Sequence, residues 1–450
     1  MPYSKPLKDL LDKYKDKQEP ISVNFRELVP SVGRGERLSH LLHPYPAKLL
    51  ANIPIFFLQN DILSKPGDVV VDPFSGSGTV LLEAIVNNRI GIGADSSPMA
   101  RLIAKVKTTP IDIEATQKMF DAFKQNLSVS PTIPKVTNIK HWFYPRIIEQ
   151  LGRIKSTIDA LEDSDIKDFF SVCFSGCVRK VSLANPRLSV PVRLKKELFP
   201  KGSWRHDEAK NKLEYLKTAS VIEIFEQIYN RNLKRISSLR SLAKTNIRIC
   251  KDARNLSYEN KSGKLCKIKN NSVSLVITSP PYAGAQKYIR SLSLSLGWLG
   301  FCDEIPLTKY KEKSIGREEY KTSAYIELLN TGIPDADVLL KEIYQENPKR
   351  AHIAANYLNE MRQSFKELKR VLKPGGHFVL VIANNQVCGR EFKTTEYLEA
   401  IAHQLGFKTK LRLVDDIKSW GLMTKRNKTA STITCEWIFV LEKRGNCCNG

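Results

Sequence analysis

Val69-Val70-Val71-Asp72-Pro73-Phe74-Ser75-Gly76-Ser77-Gly78-Thr79 is an apolar triplet closed by an acid and followed by a glycine-rich loop. Consecutive valines read as a buried strand, because β-branched side chains suit a sheet covered on both faces. The loop opens a predicted helix, Val80 to about Asn88, with Leu81, Leu82 and Ile85 on its apolar side. Arg89-Ile90-Gly91-Ile92-Gly93-Ala94 follows as a second strand, closed by Asp95. Ser96-Ser97-Pro98 then caps a helix carrying Met99, Leu102 and Ile103. Strand, loop, helix, strand, acid, helix is the opening of a doubly wound α/β sheet.

The same rhythm resumes far downstream. Ile247-Arg248-Ile249-Cys250 is a short strand followed by Asp252. Ser274 to Ile277 is the next, and it ends in Thr278-Ser279-Pro280-Pro281-Tyr282. Tyr288 to Trp298 reads as helical, and Met361, Phe365, Leu368 and Leu372 fall at helical spacing. Lys373-Pro374-Gly375-Gly376 reads as a turn before a strong strand, His377 to Ala383. Leu405-Gly406-Phe407, Lys410 to Asp415 and Thr432 to Leu441 read as a helix end and an antiparallel hairpin. The expected organisation is an N-terminal arm over 1–35, broken at Gly33-Arg34-Gly35, and three core blocks at 36–110, 246–302 and 356–445. Between the blocks lie a helical insertion at 111–245, containing the stretches Phe169 to Val181 and Val221 to Leu233, and a polar second insertion at 303–355.

The chain has 71 Lys and Arg against 47 Asp and Glu, a surplus of 24 positive charges, and this points to a polyanionic partner, nucleic acid first. Two clusters concentrate the surplus. From Arg179 to Arg205 there are eight basic residues and one acid, among them Arg179, Lys180, Arg187, Arg193, Lys195 and Lys196. From Arg231 to Lys251 there are seven basic residues and no acid, among them Arg231, Lys234 and Arg235. These nine are candidate DNA contacts. No apolar run approaches the roughly 18 residues of a membrane span. The charged stretch Met1 to Lys17 lacks a secretory h-region, so a cytoplasmic protein is expected. Nine cysteines show no ligand framework; Cys173 and Cys177 suit one helical face, so no metal is expected.

The chemistry follows from the strand ends. The loop has two of the three glycines of a dinucleotide fingerprint and no Gly-Lys-Ser/Thr, so it is not a triphosphate loop. Asp95 stands where a ribose-diol acceptor belongs in such a fold. Asp72 can receive a cationic amine, and Asp252 an adenine amino group. A ligand with an amine and a ribose but no phosphates fits S-adenosylmethionine. Thr278-Ser279-Pro280-Pro281-Tyr282 is a rigid loop suited to a flat heterocycle. An exocyclic base amine must pyramidalise to attack a sulfonium methyl; Ser279 Oγ and the Pro280 carbonyl can accept its hydrogens, and Tyr282 can stack on the ring. A base inside a duplex must be flipped out to reach such a site. Methylation at ring carbon 5 needs a Pro-Cys nucleophile, and none of the nine cysteines follows a proline.

Asp72 to Thr79 together with Thr278 to Tyr282 resembles the amino-group DNA methyltransferases of restriction-modification and solitary systems. His43-Pro44-Tyr45-Pro46-Ala47-Lys48 resembles the family element that precedes the first strand and lines the cofactor pocket, and Arg370 to Gly376 resembles a later helix-turn. The resemblance implies a Rossmann-like, mostly parallel sheet with an antiparallel C-terminal hairpin. It implies S-adenosylmethionine at His43, Tyr45, Pro46, Lys48, Asp72, Pro73 and Phe74, and at Gly76, Gly78, Thr79, Asp95, Asp252 and Thr278. Ser279, Pro280, Pro281 and Tyr282 become the catalytic residues. Double-stranded DNA is the implied partner, with a cognate restriction endonuclease where the system has one, in a bacterial or archaeal cytosol at the nucleoid. Ser before Pro-Pro-Tyr resembles the N4-cytosine enzymes, whereas Asp or Asn there is more usual for N6-adenine. The cofactor motif precedes the catalytic motif, the reverse of many Ser-Pro-Pro-Tyr enzymes. Target recognition is expected in 111–245 first and 303–350 second. The alternatives are N6-adenine in DNA, a base in structured RNA, and an inactive nucleic-acid-binding homologue.

Overall fold

The computed structural model describes every residue except 31, 33–36, 47, 163, 243–246, 261, 285–287, 417–434 and 446–450. The expected break at Gly33-Arg34-Gly35, Ala47 of the Pro-Tyr-Pro element, Lys244 of the second basic cluster and the strand start at Thr432 lie outside the described residues.

One sheet organises the chain. Its strands are β1 (Ile21–Val23), β2 (Val69–Asp72), β3 (Ile90–Ala94), β4 (Ile247–Cys250), β5 (Val273–Thr278), β6 (Leu372–Ile382), β7 (Phe407–Asp416) and β8 (Cys435–Lys443). They lie in the order β1-β7-β8-β6-β5-β2-β3-β4. The run β6-β5-β2-β3-β4 is parallel, β8 is antiparallel to both β6 and β7, and β1 is parallel to β7. The chain leaves β2 towards β3 and β4 and returns on the other side through β5. Between β2 and β5 the winding reverses, and there the carboxyl ends of a doubly wound sheet open a crevice. Asp72 and Thr278 are the last residues of those neighbouring strands.

The central strands read as unbroken apolar runs because helices cover both faces. Every residue of β5 is buried. The helix Thr79–Val86 buries all its residues but the last, pressed against the sheet by Gly91 and Gly93 of β3. The helix Pro348–Val371 runs directly into β6. The turn expected at Lys373 to Gly376 is instead a bulge inside β6. Val273 pairs with Leu372, but Leu275 pairs with His377, and Gly375 takes φ +72° to absorb the extra residues. Lys443 Nζ pins this stretch, donating to the carbonyls of Lys369 and Leu372 at 2.7 Å each.

The N-terminal segment, expected as an arm, is built into the sheet layer. Helix Ser4–Lys17 buries Leu7 and Tyr14, and β1 pairs with β7. The first insertion is helical, as expected. Helices Ile113–Gln125, Pro145–Asp159, Asp165–Val181 and Val221–Ile236 pack around an aromatic core in which Phe120 and Tyr229 stack 3.8 Å apart. Cys173 and Cys177 are buried there. The second insertion, in which the sequence shows no clear element, forms helices Leu307–Lys313 and Pro334–Glu346. No helix among the described residues is long and apolar enough to cross a membrane.

A Cβ at Gly93 would fall 2.7 Å from Leu81 Cδ1 and 2.8 Å from Ser75 Oγ. Gly93→Ala should therefore lower unfolding free energy by about 1–3 kcal/mol, read from denaturant midpoints.

Candidate active site

The crevice beyond β2, β3 and β5 is a cleft of about 900 Å³, its open mouth included. Its geometry starts at Asp72. The side chain is 4 % exposed, and Oδ1 accepts from Thr278 Oγ1 at 2.6 Å and from the Phe74 amide at 3.1 Å. Burial pushes this carboxyl up to about 7 against the pull of those two hydrogen bonds; nearby Asp95 adds to the rise.

The glycine loop wraps the next carboxylate. The Ser75 amide donates to the Ala94 carbonyl at 2.9 Å, and Gly76 N donates to Asp95 Oδ2 at 3.1 Å. Asp95 Oδ1 accepts from Ser97 N at 2.8 Å, and burial raises this carboxyl to about 6. Gly76 (φ +47°) lets the loop lie on Tyr45, whose Cε1 would be 3.0 Å from a Cβ. Gly78 (φ +78°) packs on Ala104 and does not line the cleft. Asp72 is thus buried and Asp95 half-buried, and the hydrogen bonds to both carboxylates come from neutral donors, with the Arg101 guanidinium close to Asp95.

Lys48 completes the charge pattern. Its Nζ donates to the carbonyls of His40 (3.1 Å) and His43 (2.8 Å), and burial lowers its pKa to about 8.

Of the expected cofactor residues, Tyr45, Lys48, Asp72, Pro73, Phe74, Gly76, Thr79, Asp95 and Asp252 line the cleft. Ser279 and Pro281 of the expected catalytic loop face the same space. His43, Pro46, Gly78, Thr278, Pro280 and Tyr282 do not line it. Thr278 stands one layer behind and holds Asp72. His43 points into the protein: Nδ1 donates to the Pro44 carbonyl at 2.7 Å, and Nε2 is hydrogen-bonded to Ser175 at 2.9 Å. Ser175 in turn meets Ser295 at 2.8 Å. Burial lowers the His43 pKa to about 4, which keeps the ring neutral in this chain of contacts. Tyr282, the expected stacking ring, is 8 % exposed and packs into the apolar cluster behind the loop. Asp252 lines the cleft with its carboxylate held by Arg254, Nε and Nη2 each at 2.9 Å.

The cleft also uses residues that sequence reasoning passed over: Ser96, Ser97, Ala253, Tyr288 and the segment Lys313–Ile315. Ser96 and Ala253 follow Asp95 and Asp252 directly, a signal that adjacency to a strand-end acid could have supplied. Lys313 to Ile315 come from an insertion and carry no local signal.

The nine candidate DNA contacts divide. Arg179 is bonded to the carbonyls of Asn185 and Leu188, Arg193 to the His141 carbonyl and Arg235 to the Leu41 carbonyl, so these three serve the fold. Arg187 pairs with Glu208 at 2.8 Å. Lys180, Lys195, Arg231 and Lys234 are exposed, and Lys196 is half-buried.

A doubly wound sheet carrying two carboxylates and a Ser-Pro-Pro-Tyr loop on one switch-point cleft defines a Rossmann-like methyltransferase. The DNA methylase family of N6 and N4 enzymes matches residues 43–105 and 273–447, together more than half of the chain, and the chain belongs to that family. It is 26 % identical over 372 residues to the type II methyltransferase M.MvaI of Kocuria varians, covering 78 % of each chain. It is 23 % identical over 396 residues to the type II methyltransferase M.BsoBI of Geobacillus stearothermophilus, covering 77 % of this chain and 74 % of the relative. A shorter match, 37 % over 86 residues, joins it to the type II methyltransferase M.MjaII of Methanocaldococcus jannaschii, covering 19 % of this chain and 16 % of the relative. The methyl donor of this family is S-adenosyl-L-methionine. The cleft fits it: acceptors for an ammonium and a diol, a lysine for a carboxylate, and no triphosphate loop.

Because the His43–Ser175–Ser295 chain lies outside the cleft, Ser175→Ala should cost about 1–3 kcal/mol of stability through the unpaired groups it leaves. Cofactor affinity, measured by calorimetry on the same variant, should stay at the parent value.

Proposed function

We propose that this DNA methyltransferase methylates the exocyclic N4 amine of cytosine at a specific site in duplex DNA. The observation that carries this reading is Ser279, a neutral hydroxyl on the cleft wall beside Pro281, at the position where adenine-directed relatives more usually place Asp or Asn. N6-adenine is the second reading, since the family spans both amines.

S-adenosyl-L-methionine supplies an electrophilic methyl group on a sulfonium. Asp72 takes the ammonium of its amino-acid end, and Lys48 the carboxylate. Asp95 accepts from the ribose hydroxyls, and Asp252 from the adenine amine. Ser279 Oγ, on the cleft wall, accepts one hydrogen of the base amine, which favours a pyramidal nitrogen with its lone pair free; the Pro280 carbonyl, behind that wall, takes the other only if the loop turns it inward. No general base has to act first, because the product cation is acidic and loses its proton to water. The two prolines stiffen the loop around Ser279, so that acceptor needs little reorganisation. Stacking by Tyr282 calls for its ring to turn out from behind Pro281 as a flipped base enters.

The helical insertion is the proposed target reader. Its stretch from Arg179 to Lys217 holds eleven basic residues and four acids. Trp204 is 59 % exposed there, with the guanidiniums of Arg187 and Arg205 at 4.5 and 5.2 Å from its ring. Exposed cations beside an exposed aromatic suit a phosphate backbone and its bases. The relatives' type II names support a modification role in the prokaryotic cytosol beside a cognate restriction endonuclease.

With labelled cofactor and mixed-sequence duplex DNA, digestion to nucleosides should place the label in N4-methylcytosine; label in N6-methyladenine would select the second reading. Cofactor affinity should also depend on pH. Asp72 gains its charge as pH rises through about 7, and Lys48 loses its charge above about 8, so affinity should peak between them. Asp72→Asn should move the acid limb down from about 7 to that of Asp95, about 6, and weaken binding about tenfold to a hundredfold, the worth of a charge-assisted hydrogen bond. Lys48→Met should weaken binding and leave only the alkaline limb of the ligand's own ammonium.

A further inference from the structure

The second insertion sends one segment back over the cofactor cleft. Lys313, Ser314 and Ile315 form part of its wall. Ser314 Oγ lies 3.3 Å from Ser96 Oγ, beside Asp95. Two residues on, the Gly316 carbonyl accepts from Gly284 N at 3.0 Å, just past the catalytic loop. Gly316 has φ +75°, and a Cβ there would fall 2.7 Å from the Tyr282 carbonyl. The segment therefore touches the cofactor side and the catalytic loop at once.

A buried ion cluster holds it from behind. Glu360, on the helix Pro348–Val371, is 6 % exposed. Its Oε1 takes Arg254 Nη1 at 3.0 Å and Arg317 Nη1 at 2.6 Å. Arg254 grips Asp252 with two nitrogens and donates from Nη2 to the Lys313 carbonyl at 3.1 Å. Arg317 donates to the Ser314 carbonyl at 3.3 Å and stacks over Tyr320 at 4.5 Å. One carboxylate thus ties the side chain of Asp252 to the backbone of 313–317. A buried cluster of this kind contributes little net stability, since desolvation offsets the attraction; what it does supply is a fixed geometry.

We infer that Lys313 to Arg317 is a roof over the nucleoside end of the cofactor cleft, and that Arg254, Arg317 and Glu360 are positioning residues for cofactor binding. The inference rests on the proposed placement of the adenosine against Asp95 and Asp252. The contacts that place it there are Ser314 on Ser96, beside Asp95, and the Lys313 carbonyl on Arg254, which holds Asp252. Arg254 sets the rotamer of Asp252, which leaves the carboxylate's remaining lone pairs for the adenine amine. Through Gly316 and Gly284, the roof also sets where the catalytic loop sits.

Arg317→Met removes a hold on the roof without touching Asp252. Calorimetry on the full chain would measure binding of S-adenosylmethionine and of 5′-methylthioadenosine, which keeps the nucleoside and lacks the amino acid, with Lys48→Met as the comparison. Arg317→Met should weaken both ligands by the same factor, about tenfold. Lys48→Met should weaken only the first. Ser314→Ala, which leaves the ion cluster whole, should weaken both by about threefold, the worth of one neutral hydrogen bond. Parent affinity for both ligands in Arg317→Met and Ser314→Ala, or loss confined to S-adenosylmethionine, would overturn the roof. Failure of the unaltered chain to bind either ligand would instead overturn the placement of the cofactor itself.

Discussion

The hydrogen bond from Thr278 Oγ1 to Asp72 Oδ1, 2.6 Å long, joins the ends of two strands that lie 206 positions apart in the chain. It exists because β2 and β5 are neighbours at the point where the sheet's winding reverses. Two carbonyl-lined strand ends there face open space, and the residues after them leave in opposite directions. The glycine loop departs from Asp72 on one side and the Ser-Pro-Pro-Tyr loop from Thr278 on the other. Without that adjacency the methyl-donor pocket and the base-amine loop would belong to separate surfaces.

Burial then gives the pocket its electrostatic character. Burial raises Asp72 and Asp95 to about 7 and about 6, although amides, a hydroxyl and, for Asp95, the nearby Arg101 guanidinium pull the other way. Asp72, whose partners are a hydroxyl and an amide, has unspent capacity for a cation. Lys48 is the complementary case, a buried ammonium whose hydrogen bonds go to carbonyls. In the proposed placement the ligand's own charges complete Asp72 and Lys48, a differential interaction that an exposed ion pair in water could not match. Both insertions are tied to residues of this pocket or its entry element. His43 ties the strand-entry element to Ser175 of the first insertion, and Arg254 with Glu360 ties Asp252 to the second.

Much of the fold was legible because its signals are local. Val69 to Val71 and Val273 to Ile277 are β-branched or leucine-rich runs bounded by an acid or a proline. The helices of the first insertion show their 3.6-residue periodicity. The misread places are those where a long-range contact decides. Lys373 to Gly376 has the composition of a turn, yet Lys443 holds it within β6 as a bulge. His43 belongs to a pocket motif by position in the chain, yet its ring finds Ser175 instead. Arg193 and Arg235 look like free cations in a basic cluster, yet each donates to a distant backbone carbonyl, those of His141 and Leu41.

By itself the sequence determined the order of the core blocks, the carboxylates at the strand ends and the hydroxyl before the two prolines, because strand-forming runs and backbone-restricting residues act within a few positions of themselves. Only the tertiary structure decided which of those groups share a cleft, which charges stay free, and that Lys313 to Ile315 form part of the pocket wall. Those outcomes depend on contacts between residues from about fifty to more than two hundred positions apart, and a hydrogen bond or an ion pair leaves no periodicity in the chain to read.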